Sequence, residues 1–214
     1  MIEAFAVTLV GVALAQASPG PNLLAVAGAA LGQGRRPALL TVAGIASGML
    51  VWAGLVALGI GAVLAVVPAL MGAMKLLGGA YLVWLALRAA RAAWRGGETS
   101  IRADAGARGA LGSYLHGLLV VLTNPKALLM WSAVGTFLFG SGLDAWQVAA
   151  FGPVGAASGL AIYGTYALLF STGLAARTYA RFARWVEAGL GAAFGAIGGG
   201  LLLDGARELR ERLA

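Results

Sequence analysis

Two short segments of this chain place proline beside groups that can bind a charged small molecule, and each interrupts an apolar stretch. The first covers residues 18–22 inside the apolar run 4–31, and the second covers residues 124–126. Proline removes a backbone donor and clashes with the preceding turn, so both segments should break a helix. The residues that we assign to a substrate site at these breaks are Pro19, Gly20, Pro21, Asn22, Asn124, Pro125 and Lys126.

The chemistry of the two breaks suits a zwitterion such as a free amino acid. Pro21 can occupy the first turn of a new half-helix, whose N-terminal dipole end attracts a carboxylate. Lys126 adds a full positive charge, and the carbonyls that the prolines free can accept hydrogen bonds from an ammonium group. No Asp or Glu lies in the middle of an apolar stretch, so a cationic side chain would meet no partner there. The pattern therefore favours a neutral amino acid.

The two lysines, Lys75 and Lys126, differ from the other cations of the chain. Both lie in apolar stretches, whereas every cation of the connecting segments is an arginine. A desolvated lysine can lose its proton, which arginine effectively cannot. Both lysines are therefore candidates for coupling to protons, although Lys75 is close enough to a predicted span end to reach the membrane surface.

Other polar side chains are weaker candidates for the site. Tyr81, Ser47 and Ser158 are secondary candidates, and we interpret Tyr163 and Tyr166 as packing residues or interface anchors. Residues 15–17 resemble a signal-peptidase site, but the positively charged start of a signal peptide is missing. We therefore expect no cleavage there.

Composition excludes several classes of function. The chain is 60% hydrophobic and 11% charged, against about 25% charged residues in a soluble domain, so we predict one integral membrane domain over residues 1–214. It has no cysteine and one histidine, which leaves little for a metal site, and we predict no metal and no cofactor. No serine–histidine–acid set, paired carboxylates or nucleotide motif is recognisable, so we do not expect an enzyme.

Six predicted transmembrane helices must position the two breaks. The breaks divide the first and fourth of these spans, and a long polar segment, residues 88–112, separates the third from the fourth. Shorter connections are a basic loop at 35–37, a turn at Pro68, a tight loop at 140–144 and a basic loop around residues 177–184. The predicted spans are residues 4–31, 38–61, 69–87, 113–139, 145–175 and 186–203.

The distribution of arginines supports this count and orients the chain. Alternate connections hold ten arginines, while the other two hold no cation. The positive-inside rule then places the odd-numbered loops in the cytoplasm and both termini outside. The same pattern explains the net charge of +7 without nucleic acid as a partner. The ten arginines are Arg35, Arg36, Arg88, Arg91, Arg95, Arg102, Arg108, Arg177, Arg181 and Arg184.

An internal repeat suggests two related halves. Residues 44–52 and 155–163 share a Gly-x-Ala-Ser-Gly pattern, and the two breaks occupy corresponding spans. Three spans per half is an odd number, so the halves would be inverted across the membrane, as repeat 1 (about 1–94) and repeat 2 (about 113–214), joined by the cytoplasmic loop at about 95–112. The alternative is a chance likeness between helices that use glycine for close packing.

Three motifs together resemble the lysine exporter family of bacterial amino-acid exporters, of the LysE/RhtB type. They are Pro19-Gly20-Pro21-Asn22, Lys75-Leu-Leu-Gly-Gly-Ala-Tyr81-Leu82 and Asn124-Pro125-Lys126-Ala127. The resemblance covers nearly the whole chain. It implies a six-span inner-membrane exporter that is driven by the proton motive force and carries amino acids or their derivatives.

The sequence therefore predicts a secondary exporter, in which two inverted halves alternate access to a site near the midplane. Its expected partners are an amino acid, protons and the lipid bilayer, and a homo-oligomer stays open. A passive channel or facilitator for small solutes is one alternative, and it would not depend on a proton gradient. A membrane scaffold is another, and it would tolerate the loss of Lys126.

Overall fold

The regular elements of the chain are all helical where the computed structural model describes them. It describes residues 1–60, 70–94, 104, 106, 108–172 and scattered positions from 185 to 210, with only the backbone at 60, 125 and parts of 70–94. A π-helical turn, Val56–Ile60, continues the third helix. The helices are α1 Ile2–Ala17, α2 Pro21–Gln33, α3 Arg35–Leu55, α4 Leu70–Trp94, α5 Ala110–Leu122, α6 Pro125–Gly140 and α7 Ala145–Phe170.

Two stretches within the described residues, Arg35–Gly59 and Ala145–Phe170, are long and apolar enough to cross a membrane. α1 and α2 form a pair bent by 50°, and α5 and α6 form a pair bent by 59°. Each pair passes the same test as one broken span, which gives up to four spans in the described part. Both predicted helix breaks are therefore present. α4 lies where the third span was predicted, and the sixth, residues 186–203, is only partly described.

The predicted basic loop at 35–37 was wrong, because these residues form the first turn of α3. Proline is tolerated in a first turn, where a backbone N–H has no partner within the helix. Gly34 alone joins α2 to α3, and its φ of 89° lies in the left-handed region that glycine adopts without a Cβ penalty. The first two spans are therefore almost continuous in sequence.

Two other predicted boundaries also shift. α4 continues through residues 88–94, which were assigned to the polar segment, because alanine and arginine are good helix formers and the Arg88 guanidinium lies 5.6 Å from the centre of the Trp84 ring. α7 ends at Phe170, ahead of the predicted residue 175, and Ser171 and Thr172 form a turn. Residues 173–175, the turn at Pro68 and the basic loop of 177–184 lie outside the described residues.

α3 lies at the centre of the described helices and packs against α2, α5 and α7. Glycines allow α3 and α5 to approach closely, because a Cβ on Gly44 would collide with the Tyr114 carbonyl and a Cβ on Gly117 with the Thr41 carbonyl. Across the same contact, the Trp52 indole donates to the Val121 carbonyl at 3.0 Å. Gly44, the first residue of the repeat motif 44–52, thus acts in close helix packing.

Part of the polar segment docks against α2, which the sequence did not predict. The Asp104 amide donates to the Gly28 carbonyl at 3.0 Å, and the Arg108 amide donates to the Gln33 side-chain oxygen at 3.4 Å. Arg108 also forms an ion pair with Asp104, and its hydrogen bond lowers the pKa of that carboxyl. This contact holds the approach to α5 against the C-terminal half of α2.

Candidate functional site

The first break lies between α1 and α2, at Ser18-Pro19-Gly20. The Ser18 amide completes the last turn of α1 by donating to the Leu14 carbonyl at 3.0 Å, and Pro21 then begins α2. Proline at this position costs no helix hydrogen bond, since the first amides of a helix have no partner within it. The Gly20 carbonyl accepts from the Leu24 amide of α2 at 3.0 Å, whereas the Ser18 and Pro19 carbonyls accept from a group outside α1 and α2.

The second break lies between α5 and α6, at Thr123-Asn124. Pro125 begins α6, and Asn124 caps it by accepting a hydrogen bond from the Lys126 amide at 2.9 Å. Asparagine is among the preferred N-cap residues because its side-chain oxygen satisfies an amide that the helix leaves free. The cap fixes the start of α6 and therefore the base of the Lys126 side chain.

The two breaks meet through a buried pair of asparagines. The Asn124 side-chain amide donates to the Asn22 side-chain oxygen at 3.0 Å, and the Asn22 amide donates to the Tyr163 hydroxyl at 3.4 Å. All three side chains are buried. Buried polar groups are costly unless paired, so this chain of bonds fixes α2, α6 and α7 relative to one another.

Replacing Asn124 with alanine should lower the stability of the folded protein by about 2–4 kcal/mol. The change removes an N-cap, which is worth about 1 kcal/mol, and leaves the buried Asn22 oxygen without its donor, which costs about 1–3 kcal/mol. Thermal unfolding of the purified protein in detergent measures the loss. Asn124→Ser is the matched control, because serine keeps the cap but cannot replace the donor to Asn22. Equal stability of all three proteins would show that neither bond matters.

The Lys126 side chain crosses from the second break to the first. Its ammonium group donates to the Ser18 carbonyl at 3.2 Å, to the Pro19 carbonyl at 3.3 Å and to the Ser18 hydroxyl. A Cβ on Gly20 would lie 3.3 Å from a carbon of this side chain, so glycine leaves room for it. We expected the carbonyls of the first break to accept hydrogen bonds from a substrate's ammonium group. In the structure they accept them from the Lys126 ammonium group.

The position of this charge is unfavourable for α6 alone. A cation in the first turn of a helix opposes the helix dipole and costs about 0.3–1 kcal/mol. The charge lies instead against the C-terminal end of α1, where the dipole and the free carbonyls favour a cation. Lys126 therefore depends on the first break for its stabilisation, and the two breaks form one site.

Gln16, in the last turn of α1, adds a second polar link. Its side-chain amide donates to the Gly155 carbonyl at 3.0 Å, and its oxygen accepts from the Ser158 hydroxyl at 2.8 Å. The side chain is 1% exposed. Tyr166 adds a bond nearby, donating to the Ala17 carbonyl at 2.9 Å. α7 is thus bound to the last turn of α1 as well as to α2.

A narrow cavity lies between the two breaks. It leaves about 20 Å³ open to the centre of a water molecule, which is room for roughly one water. An amino acid is several times larger, so the breaks must separate to admit one. The cavity is lined by Ala15, Gln16, Ser18, Gly20, Asn22, Leu23, Met49, Val121, Asn124, Lys126, Ala127, Met130, Trp131 and Tyr163.

The structure brings together most of the predicted site residues. Gly20, Asn22, Asn124 and Lys126 line the cavity, and the prolines shape its two breaks, the Pro19 carbonyl also accepting from Lys126. Ser158 does not line the cavity, but its hydroxyl donates to Gln16, which does. The Ser47 hydroxyl donates to the Ala43 carbonyl of its own helix at 3.1 Å. Lys75 and Tyr81 lie on α4, and their side chains fall outside the described residues.

Gln16, Tyr163, Met49 and Trp131 are among the side chains of the site that sequence reasoning missed, and the first two carried a signal. Gln16 is a carboxamide within an apolar run, directly before a break, which indicates a polar contact inside the protein. Tyr163 ends the repeat motif but was interpreted as a packing residue or anchor. Met49 and Trp131 gave no signal, because single apolar residues in an apolar helix carry no pattern.

These features define a class of protein before any comparison: a membrane protein, helical throughout its described elements, with a polar site enclosed between two helix breaks. Comparison with known families then identifies it. The sequence profile of the LysE type translocators matches residues 13–205, and the chain belongs to that family. It is a membrane translocator, as the motifs predicted. No solved structure matches the chain significantly.

Several relatives are similar over nearly their whole length. The threonine efflux protein of Salmonella typhimurium strain LT2 is 30% identical over 208 residues, which cover 95% of this chain and 99% of the relative. The threonine efflux protein of Escherichia coli strain K12 is 31% identical over 87% of this chain and 91% of its own. An uncharacterized membrane protein of Haemophilus influenzae strain Rd is 28% identical over 90% of this chain and 92% of its own.

Proposed function

We propose that the protein is a secondary active exporter of amino acids or small amino-acid derivatives across the bacterial inner membrane, and that neutral substrates such as threonine or homoserine are favoured. The observation that carries this proposal is the hydrogen bonding of the Lys126 ammonium group to the Ser18 and Pro19 carbonyls. The carbonyls of the first break can bind an ammonium group, and the Lys126 cation of the second break can bind a carboxylate. A zwitterion carries both of these groups.

The binding step follows from this complementarity. The ammonium group of a substrate replaces Lys126 at the carbonyls of the first break, and the released Lys126 pairs with the substrate's carboxylate. Both charges stay hydrogen-bonded throughout, which matters because an unpaired ion in an apolar setting is costly. We assign to the site the residues predicted from the two breaks, and we add Gln16 and Tyr163 because they line the cavity between those breaks.

Two further considerations support the substrate class. The chain belongs to a translocator family, and relatives similar over nearly their whole length are threonine efflux proteins. None of the described residues that line the cavity is acidic, so a cationic side chain would find no counter-charge among them. We therefore favour a neutral side chain on the substrate.

The proposal includes the membrane arrangement that the sequence predicts. It comprises six spans in two inverted halves, with the arginine-rich loops in the cytoplasm and both termini outside. Alternating access moves the two breaks apart on one side at a time. Protons drive export, and Lys126 and Lys75 are the candidate groups for that coupling because lysine can give up its proton.

Efflux from proteoliposomes tests the proposal. Purified protein is reconstituted, the vesicles are loaded with labelled threonine, and its release is followed with and without an imposed proton gradient. We expect release that exceeds that of protein-free vesicles and rises with the gradient. Release that ignores the gradient would favour a passive facilitator, and no release of any amino acid from folded protein would contradict the proposed function and favour a scaffold.

A further inference from the structure

Trp131 on α6 has a buried hydrogen-bond donor without an acceptor. Its side chain is 1% exposed, it lines the cavity, and its indole nitrogen has no hydrogen-bond partner among the described residues. Buried polar groups are nearly always paired, and an indole N–H can only donate. Of the three side chains with such an unpaired atom in the described part, it is the one that lines this cavity; Gln33 and Ser113 lie elsewhere.

Packing holds the Trp131 ring in place. It meets Phe151 edge to face, with ring centres 6.3 Å apart and planes at 68°. On another side, a Cβ added to Gly155 would lie 3.2 Å from a ring carbon, so glycine makes room for the ring at this point. A donor that neighbours already fix loses little freedom when a ligand binds to it.

Trp131 lies deeper along α6 than the charged end of the site. It follows Lys126 by five residues, which is about 7.5 Å along a helix axis. Both residues line the cavity, and Ala127 and Met130, which lie between them along α6, line it too. In the proposed binding step, the ammonium and carboxylate groups of an amino acid bind near the breaks. The Trp131 indole N–H is then available to a neutral acceptor on the substrate's side chain.

We infer that Trp131 determines side-chain specificity by donating a hydrogen bond to a hydroxyl oxygen of the substrate. This inference rests on the proposed function and adds a preference for hydroxylated amino acids over apolar amino acids of the same shape. Threonine and valine form such a pair, since they differ by a hydroxyl in place of a methyl group. Valine would leave the buried donor unpaired, which should disfavour it about tenfold.

Export of threonine and valine by the wild type and by Trp131→Phe tests this inference. Phenylalanine keeps an aromatic ring and removes the donor. In the proteoliposome assay, the wild type should prefer threonine about tenfold, and the variant should lose most of that preference. An unchanged ratio in an exporting variant, or a wild type without preference, would overturn the role of Trp131 alone. A wild type that exports no amino acid would overturn the proposed function with it.

A second measurement covers the case in which Trp131→Phe does not fold. The chain has six tryptophans, so wild-type protein labelled with ¹⁵N at the indole nitrogens should give six indole signals in NMR. Adding threonine should shift one of them downfield, as expected when an N–H gains an acceptor, and valine should not. Six signals that respond identically to both amino acids would contradict the inference.

Discussion

Lys126→Met is expected to reduce amino-acid export about 10- to 100-fold, because each hydrogen bond to a charged group contributes about 1.5–3 kcal/mol. Methionine has a similar length and no charge. It removes the proposed partner of the substrate's carboxylate and leaves the Ser18 and Pro19 carbonyls without the donor that holds them. Initial rates of threonine efflux from proteoliposomes, at equal amounts of reconstituted protein, give the reduction.

Arg91→Met is the matched control for this variant. Arg91 is exposed on α4, so its replacement changes the net charge equally without touching the cavity. We expect export by Arg91→Met to equal that of the wild type. If Lys126→Met exported as fast as Arg91→Met, the site would not lie at the helix breaks.

A third variant, Lys126→Arg, separates the charge of this residue from its ability to release a proton. Arginine stays protonated at all relevant pH values. If Lys126 carries the proton, Lys126→Arg should retain some downhill efflux but lose its response to the gradient. A full response to the gradient would exclude Lys126 as the coupling group and leave Lys75 as the remaining candidate.

Gly44→Ala should destabilise the folded protein by about 3 kcal/mol, at the upper end of the usual cost of overpacking. The added Cβ would collide with the Tyr114 backbone carbonyl, and a backbone cannot rotate away as a flexible side chain can. α3 and α5 must then separate, which also weakens the bond from Trp52 to the Val121 carbonyl. The unfolding midpoint of the purified protein in detergent measures the effect.

Gly54→Ala is a control on the same helix with the same chemical change. A Cβ on Gly54 meets no atom within 4 Å, so alanine fits there without displacing a neighbour. Because alanine is the better helix former, we expect this variant to be as stable as the wild type or more so. Equal losses in the two variants would mean that glycine matters to α3 through its own conformation and that the contact with α5 is unimportant.

The parts of this molecule that depend on local chemistry could be predicted from the sequence. Proline acts on its own helix turn, so the breaks at 18–22 and 124–126 follow from the residues there. Helix ends were less certain, as α4 shows, because alanine and arginine extend a helix beyond its apolar part. The position of Asp104 against α2 had no signal, since a single amide-to-carbonyl bond leaves no pattern in the sequence.

The interior of the site could not be predicted, because it depends on which helices meet. Lys126 was identified as a candidate, but its acceptors became clear only when α6 was seen beside the end of α1. Gln16, Tyr163 and Trp131 become neighbours only through the packing of α1, α6 and α7. Nothing in the spacing of these residues along the chain indicates that contact.

The hydrogen bonds between Lys126 and the first break also bear on the transport cycle. Because the chain supplies hydrogen-bond acceptors to its own ammonium group, the site can close around no cargo with that group still hydrogen-bonded. In a carrier whose charged binding groups had only the substrate as a hydrogen-bond partner, the empty site would stay open after release. Such a carrier could only exchange one substrate molecule for another. A carrier that closes without a second solute molecule can return with only a proton bound and so perform net efflux, as the proposed proton-driven export requires.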